Sequence, residues 1–239
     1  MDFDIITSSL KKGWEVWKNN AVAYVVGLLL IFVLTAVIWL IAGFLGIGAM
    51  LTGVVALIAG VGTSGLAFTG MGIVAMILAF IVSILIVAPL LLGTIHMAIK
   101  GARGDKVEIK DVFYSFNKGR YVRILIFIIV YAIIFMILNI IPVLGQILAI
   151  IVQFLLVFSF YIYMMVPSQN VVYALKESFN TVKDNFLVVL VAYIVYIILI
   201  IIGSLLLGIG LLVTLPIAMI MMATILTQLR PDIKDASGN

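Results

Sequence analysis

Residues 9–20 read SLKKGWEVWKNN, and residues 174–185 read ALKESFNTVKDN. At an offset of 165 the two stretches share the pairs Leu10/Leu175, Lys11/Lys176, Lys18/Lys183 and Asn20/Asn185. Each stretch mixes charged and apolar residues and leads directly into a long apolar stretch without charge. This pattern is typical of a helix on a membrane surface that precedes a membrane-spanning helix. The repeat therefore predicts a membrane protein built from similar units.

The composition is that of an integral membrane protein. Of the 239 residues, 66% are hydrophobic and 10% are charged, whereas soluble domains carry about 25% charged residues. There is no cysteine, which excludes disulfide frameworks, thiolate metal sites and cysteine nucleophiles. The start, MDFDIITSS, carries two acidic and no basic residues. A cleaved signal peptide is therefore not expected, and the N-terminus is predicted to stay in the cytoplasm.

The charged residues are confined to four short segments, which are Asp2–Lys18, Lys100–Arg123, Lys176–Asp184 and Arg230–Asp235. The charge-free stretches between them contain 81, 52 and 45 residues. Because a spanning helix needs about 20 apolar residues, each stretch holds a hairpin of two spans. Lys and Arg collect on the cytoplasmic side. All four segments and both termini are therefore predicted to lie there, in a multi-pass protein of the plasma membrane.

The predicted fold is an all-α bundle of six spans, arranged as three hairpins that are each preceded by an amphipathic interfacial helix. One transmembrane domain covers residues 1–239, with repeat units at about 1–100, 101–167 and 168–239. The third interfacial segment is a weaker copy at 107–118, since SFN occurs at both 115–117 and 178–180. The spans are predicted at about 21–44, 71–100, 121–141, 146–166, 186–206 and 210–229. Asn20 is predicted to cap the first span.

The first hairpin contains a glycine-rich insertion, with nine glycines between Gly43 and Gly72. Small residues recur every four positions in it, namely Gly48, Thr52, Ala56, Gly60 and Ser64. Small residues let helix backbones approach closely in lipid, so this stripe is predicted to pack helices together. Residues 48–62 are predicted to form a short extra helix inside the bundle near the outer face, or a re-entrant helix. In the alternative, residues 48–82 cross twice more and give eight spans.

Three aromatic residues of the amphipathic segments, Trp14, Trp17 and Phe179, are predicted to anchor them at the interface. Basic residues near the same face are predicted to contact lipid headgroups: Lys11, Lys12, Lys18, Lys100, Arg103, Lys106, Lys118, Arg120, Arg123 and Lys183. Clustered basic residues gain about 1 kcal/mol each near an anionic membrane surface. The alternative is that they only fix the topology. Interspersed acidic residues argue against a nucleic-acid partner.

The interior of the predicted spans lacks ionisable groups at mid-depth, which argues against a proton- or sodium-coupled transporter. Asn139 and Gln153 are candidates for a neutral polar path, with interhelical hydrogen bonding as the alternative. One histidine without cysteine or intramembrane carboxylates does not supply three metal ligands, so neither a metal nor another cofactor is expected.

A GTSG motif at 62–65 together with a single histidine resembles the serine and histidine of rhomboid intramembrane proteases. Ser64 would be the nucleophile and His96 its base. His96 lies four residues, about 6 Å of helix, before Lys100 at the cytoplasmic end, whereas Ser64 is predicted near the outer face. No catalytic residues are therefore expected.

An AL-x-x-SF-x-x-x-K-x-N segment, a G-x-G turn and a closing TLP run resemble a group of uncharacterised archaeal and bacterial six-span proteins. That group is similar to the membrane domain attached to some glycerophosphodiester phosphodiesterases. The residues that carry the resemblance are Ala174, Leu175, Ser178, Phe179, Lys183, Asn185, Gly208, Gly210 and Pro216, with GDKVEIKDVF at 104–113. The resemblance implies six spans and a cytoplasmic N-terminus. The soluble phosphodiesterase domain is absent, so that activity is not implied.

These observations favour an integral membrane protein without enzymatic activity, which organises lipid or scaffolds a partner at the cytoplasmic leaflet. Its expected partners are membrane lipids, with a protein partner or a second copy of the chain as further options. The alternative from another class is a passive transporter or channel for a small neutral or lipidic solute. An intramembrane serine hydrolase ranks third.

Overall fold

The computed structural model describes residues 4–166, 170–206 and 208–233. Its α-helices are α1 (Asp4–Asn19), α2 (Ala21–Ala42), α3 (Gly48–Ile58), α4 (Gly62–Val82), α5 (Ala88–Arg103), α6 (Tyr121–Leu138), α7 (Leu144–Leu155), α8 (Ser159–Met165), α9 (Val171–Asp184), α10 (Phe186–Leu205) and α11 (Leu211–Leu229). A 3-10 helix, Ile109–Phe116, lies between α5 and α6. The described part of the chain contains no β-strand.

Six helical runs among the described residues are long and apolar enough to cross a membrane. They are Ala21–Ile58, Thr63–Arg103, Tyr121–Leu138, Leu144–Met165, Phe186–Leu205 and Leu211–Leu229. The predicted all-α bundle with six spans is confirmed, and the runs are consistent with a multi-pass membrane protein. The last four spans end within three residues of their predicted positions, because the charged segments and the turn at Pro142 delimit them.

The first hairpin is longer than predicted. Helix α2 continues through a π-helical segment, Gly43–Ile47, into α3, and α4 continues through a second π-helical segment, Ser83–Val87, into α5. The two runs contain 38 and 41 residues. At 1.5 Å per residue each is about 60 Å long, roughly twice the 30 Å hydrocarbon thickness of a bilayer.

The glycine-rich helix of this hairpin is therefore α3, which extends α2 instead of forming a separate element. Residues bordering both π-helical segments keep right-handed helical dihedral angles, so the chain does not reverse at either one. The eight-span alternative needs those reversals and is wrong. The chain turns at residues 59–61, where Gly60 adopts a φ of 75° that other residues rarely tolerate.

The chain forms two compact units. The core unit comprises the described residues up to Leu28 and from Leu90 onward, and the hairpin unit is Leu29–Pro89. Helix α11 is the most buried span of the core unit, with 61% of its most apolar stretch buried. Helix α1 packs along it, since the Trp17 indole N–H donates to the Leu212 carbonyl at 3.2 Å. A Cβ on Gly13 would come within 2.8 Å of the Ile217 carbonyl oxygen.

Large side chains fill the interior of the core unit. Phe127, Phe158 and Met221 are completely buried. The Tyr24 hydroxyl donates to the Met97 carbonyl at 3.0 Å and joins α2 to α5. The 3-10 helix packs against α5 at Gly93. A Cβ added to Gly93 would collide with the backbone of Val112 in the 3-10 helix. The packing of this unit thus combines bulky apolar side chains with a few contacts that require glycine.

The hairpin unit packs through a different set of small residues from the predicted stripe. Added Cβ atoms on Gly53, Gly65 and Gly72 would collide with the facing helix, and one on Gly46 would lie 3.1 Å from the Met76 side chain, whereas Gly48 and Gly60 have nothing within 4 Å. Thr52 and Ser64 donate to carbonyl groups of their own segment, and Ala56 is half-buried. The predicted stripe was wrong because it assumed one helix through Gly60. The contacting glycines instead repeat at seven-residue spacing in each helix.

The repeat seen in the sequence recurs in atomic contacts. The Asn20 side-chain amide donates to the Val16 carbonyl at 2.9 Å, and the equivalent Asn185 amide donates to the Thr181 carbonyl at 3.1 Å. Asn20 does not cap α2, because its side-chain oxygen accepts from the Val107 amide at 3.2 Å. The predicted start of the third repeat unit at residue 168 lies outside the described residues.

Candidate functional site

The three amphipathic segments place equivalent residues in equivalent environments. A small residue is buried in each segment: Gly13, Ser115 and Ser178. The next residue is an exposed aromatic side chain, namely Trp14 at 45%, Phe116 at 38% and Phe179 at 44%. The small residues face the protein and the aromatic residues are left for the membrane interface. Phe116 belongs to this set although its segment is a 3-10 helix rather than an α-helix.

Trp17 has a different role from the other two predicted anchors. It is half-buried, stacks on Trp14 at a centroid distance of 5.3 Å, and bonds to the Leu212 carbonyl. Tryptophan usually pairs its N–H when it is buried. Trp17 therefore joins α1 to α11, while Trp14 stays exposed.

The ten basic residues predicted to meet headgroups differ in their exposure. Seven are exposed: Lys11, Lys18, Arg103, Lys106, Lys118, Arg123 and Lys183. Lys12, Lys100 and Arg120 are half-buried. The Lys100 ammonium lies 2.7 Å from a carboxylate oxygen of Asp111, so an acidic group already balances its charge.

Two of the exposed lysines, Lys18 and Lys106, line the same groove. The groove has a volume of about 500 Å³ and runs between the junction of α1 with α2 and the chain that precedes the 3-10 helix. Its polar wall includes the side chains of Asn19 and Asn20. Within the described residues, neither lysine forms an ion pair. The groove therefore presents two positive charges to an outside ligand.

The acidic residue of the groove is already paired. Glu108 lies 2.5 Å from the Lys110 ammonium. This hydrogen bond and the positive charge of Lys110 lower the pKa of the Glu108 carboxyl group and raise the pKa of Lys110. Both groups therefore stay ionised at neutral pH and offset each other. The groove keeps a net positive charge from Lys18 and Lys106.

A stack of three planar groups lies beside the start of α6. The His96 and Tyr114 rings are 3.5 Å apart and inclined by 11°. The Arg120 guanidinium carbon is 4.1 Å from the Tyr114 ring centre. Since His96 covers one face of the ring, Arg120 occupies the other. Cation–π contact of this kind holds Arg120 in place, so this residue is a structural contact as well as a surface charge.

Sequence reasoning missed the role of Arg230, which joins the end of α11 to α9. Its guanidinium group lies 2.7 Å from Glu177 and 2.8 Å from Asp232, and it donates to the Thr181 hydroxyl at 3.3 Å. These carboxylates raise the pKa of Arg230, and Arg230 lowers the pKa of Asp232. A signal for this contact was present, because Arg230 closes a charge-free stretch whose other flank carries Glu177.

A second concave site lies within the spans of the core unit. This cavity of about 240 Å³ is lined by four tyrosines, which are Tyr131, Tyr161, Tyr193 and Tyr196. Apart from Gln153 the rest of its wall is apolar, with Phe160, Met219 and Met222 among the lining side chains. Gln153 is exposed, so the cavity opens to the surface beside it.

The four tyrosine side chains line this cavity together. The Tyr193 and Tyr196 rings are parallel to within 4°, with their centroids 6.2 Å apart. Among the described residues, none of the four hydroxyl groups has a hydrogen-bond partner in the protein. Tyr161 is only 5% exposed. Sequence reasoning did not bring these tyrosines together, because they lie on three different helices.

The two residues of the predicted polar path are in different places. Gln153 lines the tyrosine cavity. The exposed Asn139 lies at the end of α6, where its side-chain amide donates to the Phe135 carbonyl at 2.7 Å. Asn139 therefore completes the last turn of its helix, and only Gln153 is part of a cavity.

The serine and histidine of the hydrolase alternative have separate surroundings. The Ser64 hydroxyl donates to the Val61 carbonyl at 2.7 Å in the hairpin unit, and His96 stacks on Tyr114 in the core unit. Neither environment supports the hydrolase alternative. Among the described residues, no three His, Cys, Asp or Glu side chains are grouped closely enough to hold a metal ion.

Comparison with protein-family models, curated proteins and solved structures finds no match. The resemblance to the membrane domain of glycerophosphodiester phosphodiesterases therefore stays a prediction. The geometry of the groove and of the cavity is the basis for assigning a function.

Proposed function

We propose that this chain is a multi-pass plasma-membrane protein without enzymatic activity that binds an anionic phospholipid at its cytoplasmic face. The observation that carries the proposal is the groove between Lys18 and Lys106, whose ammonium groups form no ion pair with any residue that the structure describes. Both termini are proposed to be cytoplasmic, because all charged segments of the chain then lie on that side.

The groove suits both parts of a phospholipid. The ammonium groups of Lys18 and Lys106 supply donors for a phosphate group. Val22, which is 71% exposed, and Ile109, which is 41% exposed, add apolar surface at its edge. Basic residues near an anionic leaflet contribute about 1 kcal/mol each. A phosphate with an attached acyl chain therefore matches the groove better than a free inorganic anion does.

Native mass spectrometry of the full chain released from phosphatidylglycerol-containing nanodiscs tests the proposal. We expect the wild-type protein to retain a phosphatidylglycerol molecule. The Lys18→Gln/Lys106→Gln variant should lose about tenfold or more of this adduct, since two charge contacts are removed.

The matched control is the Lys11→Gln/Lys176→Gln variant. Both of these lysines are exposed and lie outside the groove, so the net charge changes equally in the two variants. The control should keep the adduct. Equal loss in both variants would show that the charges act only as a diffuse field, and the groove would then not be a site.

Passive movement of a small neutral or lipidic solute is a second candidate function, and the tyrosine cavity at Gln153 is the observation that favours it. Solute flux into proteoliposomes that contain the purified chain tests this candidate. Replacing Gln153 with Leu should reduce flux if the cavity is part of the route. Flux equal to that of protein-free liposomes would remove the candidate.

A further inference from the structure

The tyrosine cavity differs chemically from the groove. None of its lining residues is charged, whereas the groove carries two lysines. It lies between spans of the core unit, and Gln153 at its opening lies near the middle of the span Leu144–Met165. At that depth a bilayer is hydrocarbon. A ligand of this cavity therefore arrives from the interior of the membrane.

We infer that the cavity binds an uncharged lipid whose polar end carries ester or hydroxyl oxygens, with diacylglycerol as the representative chemistry. The site is separate from the headgroup groove, so the inference goes beyond the proposed binding of anionic phospholipid. The inference also names the class of solute that the chain would move in the second candidate function, passive transport. To that extent it rests on that proposed function.

The tyrosine hydroxyl groups indicate which polar groups the ligand carries. A buried polar group without a partner costs about 1–3 kcal/mol. Of the four tyrosines only Tyr161 is buried, but all four lie within spans, where hydrocarbon supplies no hydrogen-bond partner to a hydroxyl group. A phenol hydroxyl is a donor as well as an acceptor. Carbonyl and hydroxyl oxygens of a neutral lipid satisfy such donors without bringing a charge into the membrane.

The absence of charge in the wall decides against an ionic ligand. A charged group at the centre of a bilayer costs about 3 kcal/mol or more unless it is paired. No lining residue offers a counter-charge. The wall thus selects against phosphate and carboxylate groups, which the lysine groove accepts.

The apolar part of the cavity wall indicates that the rest of the ligand is apolar. Phe160, Met219 and Met222 face the space beside the tyrosines. Methionine side chains adapt to irregular apolar groups. A volume of about 240 Å³ accommodates a glycerol ester and the first part of an acyl chain, and the rest of the chain extends through the opening at Gln153 into the bilayer.

Photolabelling with diacylglycerol tests the inference. The probe carries a diazirine on the acyl carbon next to the ester and is placed with the full chain in phosphatidylcholine nanodiscs. After irradiation, peptide mass spectrometry should locate the label on residues of α7, α8, α10 and α11. The Tyr161→Phe/Tyr196→Phe variant, which loses two hydroxyl groups and almost no volume, should label about tenfold less.

The control is the Tyr24→Phe/Tyr163→Phe variant. It also loses two hydroxyl groups, but these bond to the Met97 and Arg123 carbonyls and lie outside the cavity. Its labelling should be unchanged. A second variant, Ile95→Phe, narrows the cavity while keeping every tyrosine and should also reduce labelling. Gel filtration establishes that each variant is folded.

Three results would overturn the inference. They are unchanged labelling in Tyr161→Phe/Tyr196→Phe, equal loss in the control, and equal labelling of the cavity by a phosphatidylglycerol probe. The Lys18→Gln/Lys106→Gln variant should label normally with diacylglycerol, which separates this site from the groove. Labelling without solute flux would support the inference and remove passive transport.

Discussion

The core unit and the hairpin unit use opposite means to hold helices together. In the core unit, bulky side chains such as Phe127 and Phe158 are completely buried. In the hairpin unit, Phe44 is 83% exposed and Ile58 is 82% exposed, while glycines form the contact between helices. Membrane helices gain little from burying apolar groups, so close backbone contact is an effective alternative.

The two units also differ in the kind of hydrogen bond that their polar side chains form. The core unit has hydrogen bonds between distant elements, such as those from Tyr24 to Met97 and from Trp17 to Leu212. The hydroxyl groups of Thr35, Thr52 and Thr69 in the hairpin unit bond to carbonyl groups four residues earlier in their own helices. Both candidate sites belong to the core unit, where polar groups from different elements meet. The difference shows that hydrogen bonds between distant elements and both concave sites occur in the core unit.

Removing volume should affect the core unit most. Phe158→Ala leaves a cavity at a completely buried site and should lower the free energy of unfolding by about 3–5 kcal/mol. Phe44→Ala removes the same side chain from an exposed position and should change it by less than about 0.5 kcal/mol. Reversible unfolding in mixed micelles measures both values. A comparable loss from Phe44→Ala would contradict the division between the units.

Removing a polar contact should have the next largest effect. The Asp111 carboxylate accepts from the Lys100 ammonium at 2.7 Å and from the Glu108 amide at 2.8 Å. Asp111→Ala should therefore cost about 1.5–3 kcal/mol, the range for hydrogen bonds to charged groups. Thr52→Val removes only a local bond from an exposed hydroxyl and should cost less than about 0.5 kcal/mol. The same unfolding assay applies, and equal costs would show that local bonds matter as much as bonds between elements.

In the hairpin unit, adding side-chain volume at a contacting glycine, rather than removing it, should lower stability. A Cβ on Gly53 would lie 2.6 Å from the Gly65 carbonyl oxygen and the Thr69 amide nitrogen, which are backbone atoms with little freedom to move. The overpacking of Gly53→Ala costs about 1–3 kcal/mol, and the better helix propensity of alanine returns up to about 1 kcal/mol. A net loss of about 1–2 kcal/mol is expected. Hydrogen exchange of residues 48–72 measures it.

The control for this glycine lies in the same helix. Gly48 has nothing within 4 Å of its added Cβ. Gly48→Ala should therefore stabilise the hairpin by about 0.5–1 kcal/mol through propensity alone. If both substitutions stabilise it, close glycine contact does not hold α3 and α4 together.

The sequence was sufficient to predict six spans and the bounds of the last four, because charged segments and the turn at Pro142 delimit them. All charged residues fall in four short segments between the predicted hairpins and at the ends of the chain. Transfer of a charged side chain into hydrocarbon is costly, so these segments mark where the chain leaves the membrane. The equal exposure of Trp14 and Phe179 was predictable for a related reason, since the repeat places both at the same position of an amphipathic helix.

Contacts between helices were less predictable. Both Gly48 and Gly53 are small, but which of them faces α4 depends on where the chain turns, and the turn at Gly60 redirects the contact face. The tyrosine cavity combines Tyr131, Tyr161 and Tyr193 from three helices. Periodicity within one helix does not show which of its faces meets another helix, so the cavity required the tertiary structure.

The smallest expected effect concerns pH. Residues 29–89 contain no Asp, Glu, His, Lys or Arg, so opening of the hairpin unit has no titrating group of its own. In the core unit, Lys110 lowers the pKa of Glu108 and Arg230 lowers the pKa of Asp232. A carboxyl group with a lowered folded-state pKa stabilises the fold above its unfolded-state pKa. That stability is lost as the pH falls through the lower, folded-state value.

Acidification from pH 6 to pH 3 should therefore reduce hydrogen-exchange protection in the segments around Glu108 and Asp232, after correction for intrinsic exchange rates. The loss should be small, because both carboxyl groups are exposed and screened by solvent. Protection of residues 48–72 should stay constant over the same range. A parallel decrease in both regions would mean that the two units open as one cooperative element. The division between a core unit packed by bulky side chains and a hairpin unit packed by glycines would then fail.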